Sequence, residues 1–178
     1  MTNLEKLYDI AVDNHYLVTS KKAKEIGIPN IELVKLSHRG KLERITYGVY
    51  RMAKYVPSEE DSYAVAVTSV DENAWLYGES VLELLSLCAT NPKVIYVAVN
   101  KRIRKQLPKN IQIIYITDNK QTRTYKGIKC QPVRDAIYAC IGKMLNDRLY
   151  DALINAKEQG YITLNDYKQL KKDINKVK

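Results

Sequence analysis

Asn30-Ile31-Glu32-Leu33-Val34-Lys35-Leu36-Ser37-His38-Arg39-Gly40-Lys41-Leu42-Glu43-Arg44-Ile45-Thr46-Tyr47-Gly48-Val49-Tyr50-Arg51-Met52 is the stretch on which the fold turns. Its first part, Ile31 to about Arg39, predicts a helix that buries Ile31, Val34 and parts of Leu33 and Leu36. Glu32, Lys35 and Arg39 then share one exposed face, with His38 beside them. Gly40 supplies the C-terminal stop. Leu42 to Ile45 and Val49 to Met52 are short β-prone runs around Thr46-Tyr47-Gly48, which is a hairpin signal.

Upstream, Leu4, Leu7, Tyr8 and Ala11 recur at helical spacing behind a cap expected at Asn3. Thr19 or Ser20 caps a second helix from Lys21 to Ile26, and Gly27 followed by Ile28-Pro29 ends it. Two short helices joined through a glycine turn, the second carrying a basic stripe and followed by a hairpin, predict a winged helix-turn-helix. In that arrangement the second helix of the pair enters the major groove of DNA. Lys35, His38 and Arg39 are then the candidates for base-edge contacts, because only the exposed helix face reaches into the groove. Lys21, Lys22, Lys41 and Arg44 sit where phosphates would fall. The same helices and hairpin would equally build a protein-interaction adaptor that never touches DNA. The placement of the cations favours the DNA reading.

Downstream, Pro57 followed by Ser58-Glu59-Glu60-Asp61 ends the wing strand and starts a new helix, with acids in its first turn. This places a domain boundary between residues 1–56, the winged helix, and 57–178. In the second part, residues 59–69 and 72–88 read as helices, the latter with Trp75, Leu76, Leu82, Leu84 and Leu85 on its apolar face. Val94 to Val99 and Ile111 to Ile116 read as strands, and Arg123 to Cys130 as a third. Asp135 to Leu145, Arg148 to Glu158 and Thr163 to Asn175 read as closing helices, the last behind a Thr-Leu-Asn-Asp cap signal. The order of elements predicts an α+β chain: helices packed on a small mixed sheet behind the winged helix.

The chain has 178 residues and a net charge of +9, unevenly spread. Residues 1–56 carry 10 basic and 6 acidic residues. Residues 57–100 hold only Lys93 against 7 acids, and residues 101–134 hold 10 basic residues against Asp118 alone. Two basic regions flanking an acidic one suit a polyanion-binding protein with two contact surfaces. Lys101, Arg102, Arg104, Lys105 and Lys109 form a compact cluster, joined from the following segment by Lys120, Arg123, Lys126 and Lys129. That cluster would suit DNA phosphates beyond the wing, RNA or an acidic partner, and a merely solvated lysine-rich loop would look the same.

Enzymatic readings find little support. The two histidines, His15 and His38, lie on the opening and third helices and form no Cys-His nucleophile pair or metal spacing. Glu79 and Glu83, at i and i+4, are the one carboxylate pair that would suit a metal-dependent nuclease, and a capped acidic helix face explains them as well. None of the seven glycines builds a phosphate-binding loop. Cys88, Cys130 and Cys140 offer neither a disulfide framework nor a zinc knuckle and read as reduced, buried apolar residues. The fourteen tyrosines are spread from Tyr8 to Tyr167 without a clustered stacking platform. The expectation is a non-enzymatic protein with no metal or cofactor. With no apolar run of about 20 residues and no signal-like N-terminus, it would reside in the cytoplasm.

The run from Leu36 to Met52 resembles the N-terminal winged-helix domain of the AbiEi antitoxins of bacterial type IV toxin-antitoxin systems. Leu76-Tyr77-Gly78-Glu79-Ser80-Val81-Leu82-Glu83-Leu84-Leu85 and Ile95-Tyr96-Val97-Ala98-Val99-Asn100-Lys101-Arg102-Ile103-Arg104-Lys105 agree in the same order, so the resemblance spans about residues 1–145. Family members commonly carry Arg just before the glycine of the wing, where this chain has Tyr47. A phenol there would pack against sugar or offer its hydroxyl to a phosphate. The resemblance implies binding to inverted repeats in double-stranded operator DNA, repression of the chain's own operon, and neutralisation of a nucleotidyltransferase-like toxin without a stable complex, in abortive infection by phage.

Overall fold

A computed structural model describes residues 1–90, 93–118 and 120–177, and divides the chain into two compact units. The first is Met1–Glu72 with Lys126–Ile128; the second is Asn73–Tyr125 with Lys129–Lys178.

In the first unit, helix α1 (Asn3–Ala11) is followed by strand β1 (Leu17–Thr19), α2 (Ser20–Glu25), α3 (Asn30–His38), the hairpin β2 (Leu42–Thr46) and β3 (Val49–Met52), and α4 (Asp61–Val70). The cap of α1 is Thr2 rather than Asn3. The Thr2 hydroxyl accepts from the Glu5 amide while the Glu5 carboxylate accepts from the Thr2 amide, a reciprocal box that Asn3 has no glutamate three residues on to complete. Thr19 caps α2 by accepting from the Lys22 amide. Gly27, at φ +81°, makes the turn into α3. The three strands pair antiparallel in the order β1-β3-β2, with a bulge between Arg44 and Thr46. The three-residue β1 is too short to announce itself by alternation. Leu7, Ala11, Val18, Ala23, Ile28, Leu33, Leu36, Leu42, Tyr50 and Met52 form the core. This is a winged helix-turn-helix, as the sequence predicts.

The compact unit continues past Pro57 to Glu72. Within it, the Arg51 guanidinium on β3 donates to the Asp61 carboxylate at the start of α4, both side chains being largely buried. α4 also packs against β1.

The second unit is built on a five-stranded mixed sheet of order β6-β5-β4-β8-β7, comprising β4 (Trp75–Leu76), β5 (Ile95–Val99), β6 (Ile111–Tyr115), β7 (Arg123–Tyr125) and β8 (Ile128–Cys130). β4 runs antiparallel to β5 and parallel to β8, and β5 runs parallel to β6. The helix expected over 72–88 is corrected to a central strand and a short helix α5 (Glu79–Leu84). Gly78, at φ +54° and ψ −126°, separates them in a conformation that side-chain-bearing residues avoid. The single strand expected over 123–130 is two, broken at Lys126-Gly127, where both residues have positive φ. α6 (Val133–Cys140), α7 (Asn146–Glu158) and α8 (Leu164–Lys176) complete the α+β unit. α6 stops short of the expected Leu145, ahead of Gly142 at φ +76°. α8 begins behind a Thr163/Asp166 capping box. Among the described residues, no helix is long and apolar enough to cross a membrane.

Candidate nucleic-acid interface

α3 buries Leu33 and Leu36 and exposes Lys35, His38 and Arg39. Among the described residues, no side-chain hydrogen bond or ion pair holds any of these three. Their polar groups are therefore turned to solvent and available to a ligand. Glu32 is half-buried and leaves the exposed face. The burial expected for Ile31 and Val34 is corrected: they are 60% and 37% exposed. The helix carries two apolar pairs, 31/34 and 33/36, on opposite sides. The turn through Gly27 and the buried Ile28 sets the second pair against the core.

The wing adds Lys41 and Arg44, both exposed. Tyr47 stands at its tip, 75% exposed, with the Arg44 guanidinium 6.0 Å from its ring centroid. Charge thus reaches the tip from Arg44, at the outer limit of a cation–π contact. The α2 lysines are differently placed. Lys21 pairs with Glu72, and that hydrogen bond raises its pKa above the ordinary lysine value; Lys22 lies 3.3 Å from Glu25. Both have local carboxylates to exchange for any phosphate.

The basic residues of 101–129 are carried by several different elements. Lys101, Arg102, Arg104, Lys105 and Lys109 are exposed on the irregular connection between β5 and β6, and Lys101 and Arg102 border a cavity of about 410 Å³ with Tyr115, Ile116 and Thr117. Lys120 is 3.8 Å from Asp118, Arg123 is exposed on β7, and Lys129 is half-buried on β8. Lys126 belongs to the first unit, 3.3 Å from Glu60, and its carbonyl accepts from His15 Nε2 at 2.8 Å. That bond gives His15 a structural job.

The carboxylate pair reads differently in space than in sequence. Glu83 is 8% exposed, and burial, followed by the charge of Glu79, pushes its carboxyl up to about 8. Burial therefore favours its neutral, protonated form well above the ordinary carboxylate range. The nearby thiols are neutral as well: burial pushes Cys88 up to about 11 and Cys140 up to about 12. Between the ordinary carboxylate value of 4.5 and about 8, the folded chain holds a proton that the unfolded chain releases, so stability falls as pH rises through that window. Glu83→Gln keeps the shape and removes the titration. It is expected to stabilise the fold at pH 7 by about 2–3 kcal/mol and to have little effect near pH 4.5. Urea midpoints of the two proteins at both pH values check this, and a wild-type midpoint independent of pH from 5 to 8 would contradict it.

The first unit is thus a winged helix-turn-helix with an exposed cationic helix face beside a basic wing. Residues 5–53 match the family model described as transcriptional regulator, AbiEi antitoxin. This match covers the segment that holds α3 and the wing, which is similar to the corresponding part of those transcriptional regulators. No curated protein matches the chain.

Proposed function

We propose that this chain is a cytoplasmic, DNA-binding repressor of its own toxin-antitoxin operon and the antitoxin of that system, of type IV and active in phage defence. The observation that carries the reading is the exposed Lys35, His38 and Arg39 on α3, beside a basic wing, inside the segment that matches the AbiEi regulators. α3 lies in the major groove of inverted repeats upstream of the operon, and Lys41, Arg44 and Tyr47 hold the flanking backbone. Lys21 and Lys22 join them by trading Glu72 and Glu25 for phosphates. The partner opposed by the antitoxin is a nucleotidyltransferase-like toxin, neutralised without a stable complex. The chain acts by binding rather than catalysis and needs no cofactor.

Titrating the full chain into labelled duplex from upstream of its own reading frame, against a scrambled duplex, tests this. Preference for the upstream duplex is expected, with affinities about 10³-fold or more apart at physiological salt. Equal binding, or none at low salt, would leave the protein-adaptor reading in its place.

The β5–β6 loop supplies a second grip on the phosphate backbone. Replacing Lys101, Arg102, Arg104 and Lys105 with Ala is expected to flatten the dependence of log affinity on log salt by about 0.9 for each phosphate that is no longer neutralised, with base preference intact. An unchanged slope would assign that loop to a different partner.

A further inference from the structure

We infer that α3 reads the 5-methyl groups of thymines through Ile31 and Val34, which makes these two aliphatic residues specificity determinants in their own right. The inference rests on the DNA-binding reading above.

Ile31 and Val34 are two of several large apolar side chains that the chain leaves exposed, and what sets them apart is that they share a helix face with exposed cations. Here the helix gives its two buried positions to Leu33 and Leu36 and turns Ile31 and Val34 outward. Residues 31, 34, 35 and 38 follow the i, i+3, i+4, i+7 spacing of a single helix face. The face is therefore a mixed stripe: Ile31 and Val34 alongside Lys35 and His38. Charge selects the occupant of such a stripe. On α3 and the chain leading into the wing, Lys35, Arg39, Lys41 and Arg44 outweigh Glu32, which is half-buried, and Glu43. A second copy of the same face would meet like charge, whereas a polyanion meets its complement.

The apolar feature that the major groove offers to such a face is the thymine methyl. Ile31 is the second residue of α3, and the N-terminal residues of a groove-bound helix are those that contact base edges. Ile31 and Val34 stand one turn apart on the same face, about 4.5 Å along the helix axis, a span on the scale of adjacent base pairs, about 3.4 Å apart. On this inference they meet methyls on neighbouring base pairs, while Lys35 and His38 take the polar edges beside them.

The test starts with the full wild-type chain and a selection from a random duplex pool. Each thymine of the enriched sequence is then replaced singly by deoxyuridine, which removes only the methyl. Two neighbouring positions in each half-site are expected to lose about fourfold in affinity on that change, the worth of one buried methyl. Ile31→Ala is expected to become indifferent to thymine against uracil at one of these positions, and Val34→Ala at the other. A wild-type chain that binds the enriched sequence equally well with uracil at every thymine overturns the methyl inference and leaves the DNA-binding reading standing. A pool from which nothing is enriched overturns both. The deoxyuridine comparison is made on the wild-type chain, so its outcome does not depend on whether either variant folds.

Discussion

Alanine at both Lys35 and Arg39 is expected to erase the difference in affinity between the upstream duplex and a scrambled one. Both side chains are exposed on α3 and, among the described residues, neither is held by a partner, so their removal opens no cavity and strands no buried group. The fold should change by no more than about 0.5 kcal/mol, as is usual for surface positions. Each cation that donates to a base edge contributes about 1–3 kcal/mol of discrimination, so losing both costs about 2–6 kcal/mol of specific binding. The non-specific component should survive, because Lys41 and Arg44 keep their grip on the backbone and the salt dependence that goes with it. Competition titrations at two salt concentrations separate these components, and a thermal melt confirms that the variant is folded. An unchanged ratio of specific to scrambled binding would remove α3 from the role of recognition helix.

Local chemistry explains which parts of this molecule are legible in the sequence. Tyr47-Gly48 between β-prone runs gives the wing directly, because a positive-φ glycine at that point leaves few alternatives to a hairpin. The run from Trp75 to Leu85 misleads because a strand buried on both faces and a buried helix are both unbroken apolar stretches; only the ψ of Gly78 separates them. On α3, the sequence shows two apolar pairs and cannot say which one faces the core, since that depends on the direction in which the chain leaves the Gly27 turn. The exposure of Ile31 and Val34 is hidden for that reason, although the cations beside them are visible from residue type alone. The basic segment 101–129 is legible as charge but not as a surface. Asp118 beside Lys120 and Glu60 beside Lys126 draw two of its members into separate local pairs.

Arg51→Ala is expected to destabilise the first unit by about 3–5 kcal/mol, the usual cost of removing one partner from a buried ion pair. The Arg51 and Asp61 side chains are only 7% and 14% exposed. The guanidinium also sits 5.7 Å from the Tyr55 ring centroid. The bond runs from Arg51 Nη2 to Asp61 Oδ2, while Arg51 Nε and Asp61 Oδ1 are buried without a hydrogen-bond partner among the described residues, so the two charges are compensated chiefly by each other. Nothing in the run from Tyr50 to Asp61 marks this pair beforehand, because both residue types are ordinary on a surface. β3, which carries Arg51, pairs with both β1 and β2. Loss of the pair therefore loosens the strand on which the wing is built, and weaker DNA binding should follow the loss of stability rather than precede it. Asp61→Asn should be destabilising in the same sense by leaving Arg51 charged and unmatched. The double replacement Arg51→Met with Asp61→Leu, which removes both charges and fills the space, should recover most of the loss. Urea denaturation of the three variants decides the matter. If Arg51→Ala costs less than about 1 kcal/mol, or if the double replacement is no better than the single ones, the pair does not hold α4 to the wing sheet.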